Sequence, residues 1–140
     1  MKAVVIGRHR MLPAQVEELE KLGVEAVEQV LGIDEDRIQE TVKKWVENNV
    51  KFVIIQALPL RLLHKLYVET SKYGIILVVA HMKTVGLAAN EEEAKRLVSE
   101  KPRARTYLKA PGDSAIRVIE HVRWERIKNL EVELEPLREL

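Results

Sequence analysis

Three basic residues follow the first apolar run of the sequence. Arg8, His9 and Arg10 come directly after the segment 2–7, which ends in a glycine. They supply two guanidinium groups and an imidazole, which bind phosphate oxygens through charge-assisted hydrogen bonds. The whole chain has a formal net charge of only +1 at pH 7, so this concentration of positive charge is local. The residue types and their spacing predict a site for an anion, most simply a phosphate.

Polar side chains follow two further apolar runs in a similar way. Gln56 lies near the end of the run 51–57, and three polar residues follow the run 75–80. If the three runs are neighbouring parallel strands, their carboxyl ends meet at one edge, with strands about 4.8 Å apart. The predicted ligand-binding residues are therefore Arg8, Arg10, Gln56, Lys83 and Thr84, with His9 and His81 as candidate acid–base groups.

The elements that must position these residues follow from hydrophobic patterning. The runs 2–7, 51–57 and 75–80 are rich in β-branched residues and lack polar alternation, which is typical of strands buried on both faces of a parallel sheet. The more alternating segment 24–30 predicts an edge strand. With helices between them, these strands predict a doubly wound, mainly parallel α/β sheet of the Rossmann-like or flavodoxin-like kind, with strand order 2-1-3-4. Ligands bind such sheets at the switch point between strands 1 and 3.

Start and stop signals predict four helices. Pro13 can occupy the first position of the first helix, and Gly23 can close it. Asp34 is a candidate N-cap for the second helix, and Pro59 can open the third. Asn90, three residues before a glutamate, resembles a capping box for the fourth helix.

The C-terminal third is more ambiguous. The segment 103–110 predicts a strand and 111–114 a turn. The even-numbered apolar residues from Ile116 to Trp124 alternate as in a strand, although a helix from Ser114 to Asn129 fits nearly as well. We favour a β-hairpin or meander, so that one domain comprises a parallel core, 1–101, and a β extension, 102–140.

Two residues of this extension have competing interpretations. The strand interpretation leaves His121 exposed. Trp124 is expected to fill a sheet face or an oligomer contact, and stacking on a base is the alternative. The even-numbered apolar face needs cover, and a second copy of the chain would supply it. We therefore expect a homo-oligomer, most simply a homodimer.

Composition excludes several classes of protein. The chain of 140 residues has no cysteine, so it has neither disulfides nor thiolate metal sites. The four histidines are scattered and no carboxylates cluster after the strands, so no metal or other cofactor is predicted. A glycine-rich dinucleotide fingerprint and a P-loop are both missing. With no signal peptide or membrane span recognised, a cytoplasmic location is expected, and the abundance of Glu, Lys and Arg suggests a thermophile.

The predicted topology resembles three families. It resembles flavodoxins, but residues 8–12 lack the Ser/Thr/Gly-rich loop that cradles flavin phosphate. It resembles response-regulator receivers, but Gln56 stands where the phospho-accepting aspartate would be. With Lys83 and Thr84 after strand 4, residues 1–100 are also similar to CRISPR-associated Rossmann-fold sensor domains. That resemblance implies a cyclic oligonucleotide bound across a dimer, and it covers topology only.

Three functions are compatible with these residues. The leading hypothesis is a binding module for a phosphate-containing small molecule or short RNA, in which Arg8, Arg10 and Lys83 neutralise phosphate. The second is a metal-independent phosphodiesterase or ribonuclease that uses His9 or His81 with the same cations. The third is a structural or assembly protein that dimerises through its C-terminal strands.

Overall fold

The computed structural model describes residues 1–109, 112 and 115–138. In these residues six strands and four α-helices occur. The strands are β1 (Lys2–Ile6), β2 (Ala26–Val30), β3 (Val50–Ile55), β4 (Ile76–Ala88), β5 (Arg105–Leu108) and β6 (Ile116–Arg126). The helices are α1 (Pro13–Lys21), α2 (Ile38–Glu47), α3 (Leu60–Ser71) and α4 (Glu91–Ser99), with a 3-10 turn, Glu35–Arg37, before α2.

The strands form one mixed sheet of order β2-β1-β3-β4-β6-β5. Strands β2, β1, β3 and β4 are parallel, whereas β6 is antiparallel to both β4 and β5. The prediction of a mainly parallel, doubly wound sheet is therefore wrong, because β6 and β5 continue the sheet in the antiparallel sense and it curls into a half-barrel. The first four strands have the order 2-1-3-4 within this different architecture.

The length of β4 is the physical reason for the difference. The strand has 13 residues and runs to Ala88, whereas the apolar run alone predicted an end at residue 80. It pairs with β3 only from Ile76 to Val78, but with β6 from Val78 to Ala88. The second half of β4 therefore extends beyond the part that pairs with β3. It forms an antiparallel region of the sheet with the start of β6 and with β5. We call residues 82–88, 105–108 and 116–121 the antiparallel arm.

Apolar side chains pack into three clusters. Helices α2 and α3 cover one face of the parallel strands, where Val42 and Leu66 are fully buried. Helix α1 covers the other face, where Leu19 packs with residues that include Ile54. Helix α4 packs on the antiparallel arm. On one side of the sheet, α1 is thus the one helix that packs on the parallel strands in the described residues.

The even-numbered apolar residues Ile116, Val118 and Trp124 of β6 are covered by other parts of the chain. Ile116 and Val118 are buried in the cluster with α4, and Trp124 packs against the α1 cluster. The argument that this face requires a second copy therefore does not apply. Val122 is 38% exposed, and it lies at a register irregularity where β6 has one residue more than β4.

Several predicted helix start and stop residues have the predicted role. Pro13 is the first residue of α1, and Gly23 has a φ of 95° just after that helix. The Asn90 side chain accepts a hydrogen bond from the Glu93 amide at 2.9 Å. Asp34 instead caps the 3-10 turn, by accepting from the Asp36 amide. The helix considered for 114–129 is wrong over 116–126, which is a strand.

The C-terminal region outside β5 and β6 differs from the prediction or lies partly outside the described residues. Residues 127–138 have no regular secondary structure, so the predicted β extension, 102–140, contains no strand after β6 in the described residues. Of the predicted turn at 111–114 only Gly112 is among the described residues, and Ala110 is also outside them. No helix in the described ranges has the length and apolar character that crossing a membrane requires.

Candidate functional site

The loop after β1 is held by two glutamine side chains. Gln56, just after β3, accepts a hydrogen bond from the His9 amide at 2.9 Å and donates one to the His9 carbonyl at 2.7 Å. Gln29, on β2, donates to the carbonyls of Gly7 and His9, each at 2.9 Å. We call Gln29 and Gln56 the glutamine clamp. Gln56 was predicted to contact a ligand, but its amide oxygen and nitrogen both bond the loop backbone.

The glutamine clamp depends on a glycine. Gly7 has a φ of 147°, a conformation that other L-residues rarely adopt. A Cβ added there would lie 2.4 Å from the Gln56 Oε1 and 2.5 Å from its Cβ. Glycine is therefore needed both for the backbone turn and for the close approach of Gln56.

The three basic side chains of this loop are left free. Arg8, His9 and Arg10 are all exposed. Among residues 1–109, 112 and 115–138, no side chain forms an ion pair or hydrogen bond with theirs. The structure thus fixes the loop backbone and leaves two guanidinium groups available, an arrangement that lowers the entropic cost of binding an anion.

The other predicted site residues lie elsewhere. His81, Lys83 and Thr84 are inside β4 rather than after it, so the prediction that they follow a strand end is wrong. Lys83 Nζ is 3.3 Å from Glu120 Oε2, and His81 Nδ1 is 3.5 Å from Glu125 Oε1. Because neighbouring residues in a strand point to opposite faces, Lys83 and Thr84 do not share a site. The Lys-Thr feature behind the sensor-domain resemblance is therefore part of a strand.

A groove of about 1130 Å³ lies beside the clamped loop. His9, Arg10 and Gln56 line it at the loop side, whereas Arg8, His81, Lys83 and Thr84 are not among its lining residues. Its apolar side includes Ala80, Met82, Ile119 and Trp124, from β4 and β6. Residues of α1, among them Gln15, Glu17 and Glu20, also line the groove.

The N-terminus of α1 also borders the groove, but it offers no free amides for an anion. The Leu12 amide donates to Gln15 Oε1 at 2.9 Å, and the Ala14 amide donates to the Arg103 carbonyl at 2.9 Å. The amides of Gln15 and Val16 both donate to the Leu12 carbonyl. A phosphate in this groove would therefore be bound by side chains rather than by a helix N-terminus.

A hydrogen-bonded cluster connects α1 to β6 beside the groove. The His121 ring is buried, with Nε2 2.7 Å from Glu18 Oε2 and Nδ1 3.4 Å from Gln15 Nε2. The Trp124 indole donates to the Gln15 carbonyl at 3.0 Å, and its backbone amide donates to Glu18. The expectation of an exposed His121 is wrong, because α1 covers it. Sequence reasoning missed this cluster, since its two halves are more than 100 residues apart.

A second cluster explains the position of Lys83. Glu120 is 6% exposed and accepts a hydrogen bond from Arg105 Nε at 2.8 Å. Lys83 and Lys101 also lie within ion-pair distance of its carboxylate. The hydrogen bond from Arg105, assisted by the two lysines, holds the pKa of Glu120 below its ordinary value against the opposing effect of burial. This network joins the antiparallel arm to α4, where Arg105 also donates to the Leu97 carbonyl.

Geometry therefore defines a groove with an apolar wall, with His9 and the unpaired Arg10 at the loop side and with Glu17 and Glu20 of α1 also in its lining. In the described part of the chain, no group of three or more His, Asp or Glu side chains is arranged to hold a metal ion. Comparison with protein-family models, with curated proteins and with solved structures found no match. The function is accordingly argued from the site alone.

Proposed function

We propose that this protein binds a phosphate-bearing ligand, a nucleotide or short oligonucleotide, in the groove beside the β1–α1 loop. One observation carries the proposal. The clamped loop places the unpaired guanidinium of Arg10 at the groove, and the same groove has an apolar wall that includes Trp124. Arg8 is next to this site and is equally free of a carboxylate partner in the described residues.

Phosphate recognition rests on the two arginines. Each charge-assisted hydrogen bond from a guanidinium to a phosphate oxygen contributes about 1.5–3 kcal/mol. The glutamine clamp leaves little loop ordering to be done on binding. Lys83, which was predicted to take part, already pairs with Glu120, so Arg8 and Arg10 have this role in the revised proposal.

The rest of the ligand is expected to be apolar and flat. Met82, Ile119 and Trp124 present aliphatic, thioether and aromatic surface to the groove, which suits a nucleobase better than a hydrated sugar. At about 1130 Å³, the groove slightly exceeds the roughly 300–1,000 Å³ typical of small-ligand pockets. More than one nucleotide would fit.

The arrangement favours binding over catalysis. A general base needs a partner that orients it, and the His9 ring has no hydrogen-bond partner in the described residues. His81, the other candidate, lies within β4 near Glu125 and does not line the groove. A cytoplasmic location, where nucleotides are available, belongs to the same proposal. So does a homo-oligomer, although β6 gives no reason for one.

The test compares two double variants by titration with ADP and with a short oligouridylate. Arg8→Ala with Arg10→Ala should weaken binding by at least about tenfold, equivalent to about 1.4 kcal/mol. Arg96→Ala with Arg117→Ala, a pair of exposed arginines outside the groove, is the matched control and should bind as the parent does. Both variants should unfold at the parent's temperature, because exposed charges contribute little stability.

Two results would contradict the proposal. Equal weakening in both variants would mean that only overall charge matters. Unchanged binding in the Arg8 and Arg10 variant would remove the loop from the site. Turnover of oligouridylate that is abolished by His9→Ala would favour the phosphodiesterase alternative instead.

A further inference from the structure

We propose that His121 must be neutral for the groove to bind its ligand, because only the neutral ring holds Gln15 in the orientation that fixes the start of α1. This inference concerns the regulation of the proposed binding site and rests on that function. It is carried by a chain of hydrogen bonds from Glu18 through His121 and Gln15 to the Leu12 amide.

The direction of each hydrogen bond in this chain can be assigned. The Leu12 backbone N–H is a donor, so the atom that it meets at 2.9 Å must be the side-chain oxygen of Gln15. The NH2 group of Gln15 then faces Nδ1 of His121, and the two nitrogens are 3.4 Å apart. Nδ1 must therefore be the acceptor, and the ring proton lies on Nε2, which donates to Glu18 at 2.7 Å.

A second proton on His121 would reverse one link of the chain. Nδ1–H would then point at the NH2 group of Gln15, so that two donors would face each other. Turning the Gln15 amide round, so that its oxygen faces the ring, relieves this contact. The Leu12 amide then loses its acceptor. Because Leu12 directly follows the loop that carries Arg8 and Arg10, protonation at this buried ring loosens the cationic side of the groove.

The surroundings of His121 contain few other charges. From α1, the Glu18 carboxylate and the Gln15 NH2 group both contact the ring. From β4 the residue opposite His121 is Met82, to which Gln15 also donates. The Ala104 carbonyl, just before β5, accepts from the His121 amide. Glu17 and Arg103 pair with each other, and the ring of Trp124 lies 5.1 Å away.

The first measurement needs no ligand. In the parent protein, NMR signals of the His121 ring, the Gln15 side-chain amide and the Leu12 backbone amide are followed from about pH 8 to about pH 5, the range in which histidines change charge. The expected result is that all three change together with one midpoint. If the ring titrates while the signals of Gln15 and Leu12 stay constant, the inference is overturned.

The second measurement is binding of oligouridylate over the same pH range. Its internal phosphodiesters keep their charge, so a change in affinity reports on the protein. We expect the parent to bind at least about fivefold more weakly at the acidic end, an ordinary coupling between sites. Simple electrostatics predicts the opposite sign, since a more positive protein attracts the anion more strongly.

Substitutions separate His121 from the other histidines. His121→Asn retains an acceptor for the Gln15 NH2 group but cannot titrate, so its affinity, compared with its own value at pH 8, should no longer weaken at low pH. His64→Asn on α3 and His9→Asn in the loop should both keep that weakening. If His121→Asn keeps it too, or if His9→Asn removes it, the inference is wrong. Failure of oligouridylate to bind at any pH would refute the proposed function, while the ligand-free NMR experiment would still decide the role of His121.

Discussion

Glu120 on β6 shows how this chain neutralises charge inside the sheet. Its carboxylate lies within 4 Å of side-chain nitrogens of Arg105, Lys83 and Lys101, and it is almost completely buried. The loop cations Arg8 and Arg10, by contrast, have no such partner in the described residues. The lysines and arginines of this molecule therefore differ in whether they are free to bind a ligand, depending on whether a carboxylate lies beside them.

Glu120→Gln is expected to lower the free energy of unfolding at neutral pH by about 1.5–3 kcal/mol, the value of a hydrogen bond to a charged group. The pKa of Glu120 is lower in the folded chain than its ordinary value of 4.5. Its contribution is therefore present above that value and is lost as the pH falls through the lower, folded-state pKa. Urea unfolding of the variant and the parent should consequently converge as the solution is acidified below about pH 4.5.

The matched control is Glu40→Gln, an exposed glutamate on α2 with no ion-pair partner in the described residues. It should change stability by less than about 0.5 kcal/mol. A loss at Glu120→Gln that is equally large in acid would indicate packing, not charge, as the cause.

For individual residues, the sequence predicted where they lie in the fold better than it predicted what they contact. The basic loop follows β1, as its place after an apolar run indicated. The partners of Gln56 and Lys83 were not predictable from the sequence. Gln56 bonds the backbone of a residue 47 positions away, and Lys83 forms an ion pair with the residue that the β4–β6 register places opposite it. A glutamine near a strand end has the same sequence signal whether it contacts a ligand or a loop.

Elements were predictable where their signals are local. The four helices begin close to their proline and cap residues because capping acts within a few positions. The end of β4 was mispredicted because residues 81–88 include charged, polar and glycine positions. They form a strand by pairing with β6, and that pairing depends on residues about 30 or more positions later. The fold-class error follows from this one element.

Helix α3 provides an internal comparison of buried and exposed leucines. Leu66→Ala should lower the free energy of unfolding by about 2–5 kcal/mol, because Leu66 is fully buried against the parallel strands. Leu60→Ala makes the same chemical change on the same helix, but Leu60 is 53% exposed, so we expect a loss below about 1 kcal/mol. Urea unfolding measures both. Similar losses would mean that α3 does not pack on the sheet through Leu66.

At the scale of the whole molecule, β6, the last strand among the described residues, is an interior strand of the sheet. β6 lies between β4 and β5, and its residues His121 and Trp124 also bond α1. The C-terminal region is thus structurally continuous with the first helix.

Truncation should therefore have very different effects at two positions. A chain of residues 1–110 lacks β6, and we expect it to show no cooperative unfolding transition in urea. A chain of residues 1–128 retains β6 and the hydrogen bond from the Tyr67 hydroxyl to the Lys128 carbonyl, and should unfold cooperatively. Circular dichroism would follow both. A cooperative transition in the shorter chain would show that β6 is dispensable.

The interior position of β6 also determines when the protein can finish folding during synthesis. β5 pairs only with β6 in the described sheet, so it has no strand partner until residues 116–126 are free to fold. The apolar edge of β4 likewise stays open until residues 116–126 have emerged. Unpaired strand edges associate readily with other chains. A nascent chain in which β6 is not yet free to pair thus exposes strand edges that favour aggregation, and these edges need shielding until residues 116–126 can join the sheet.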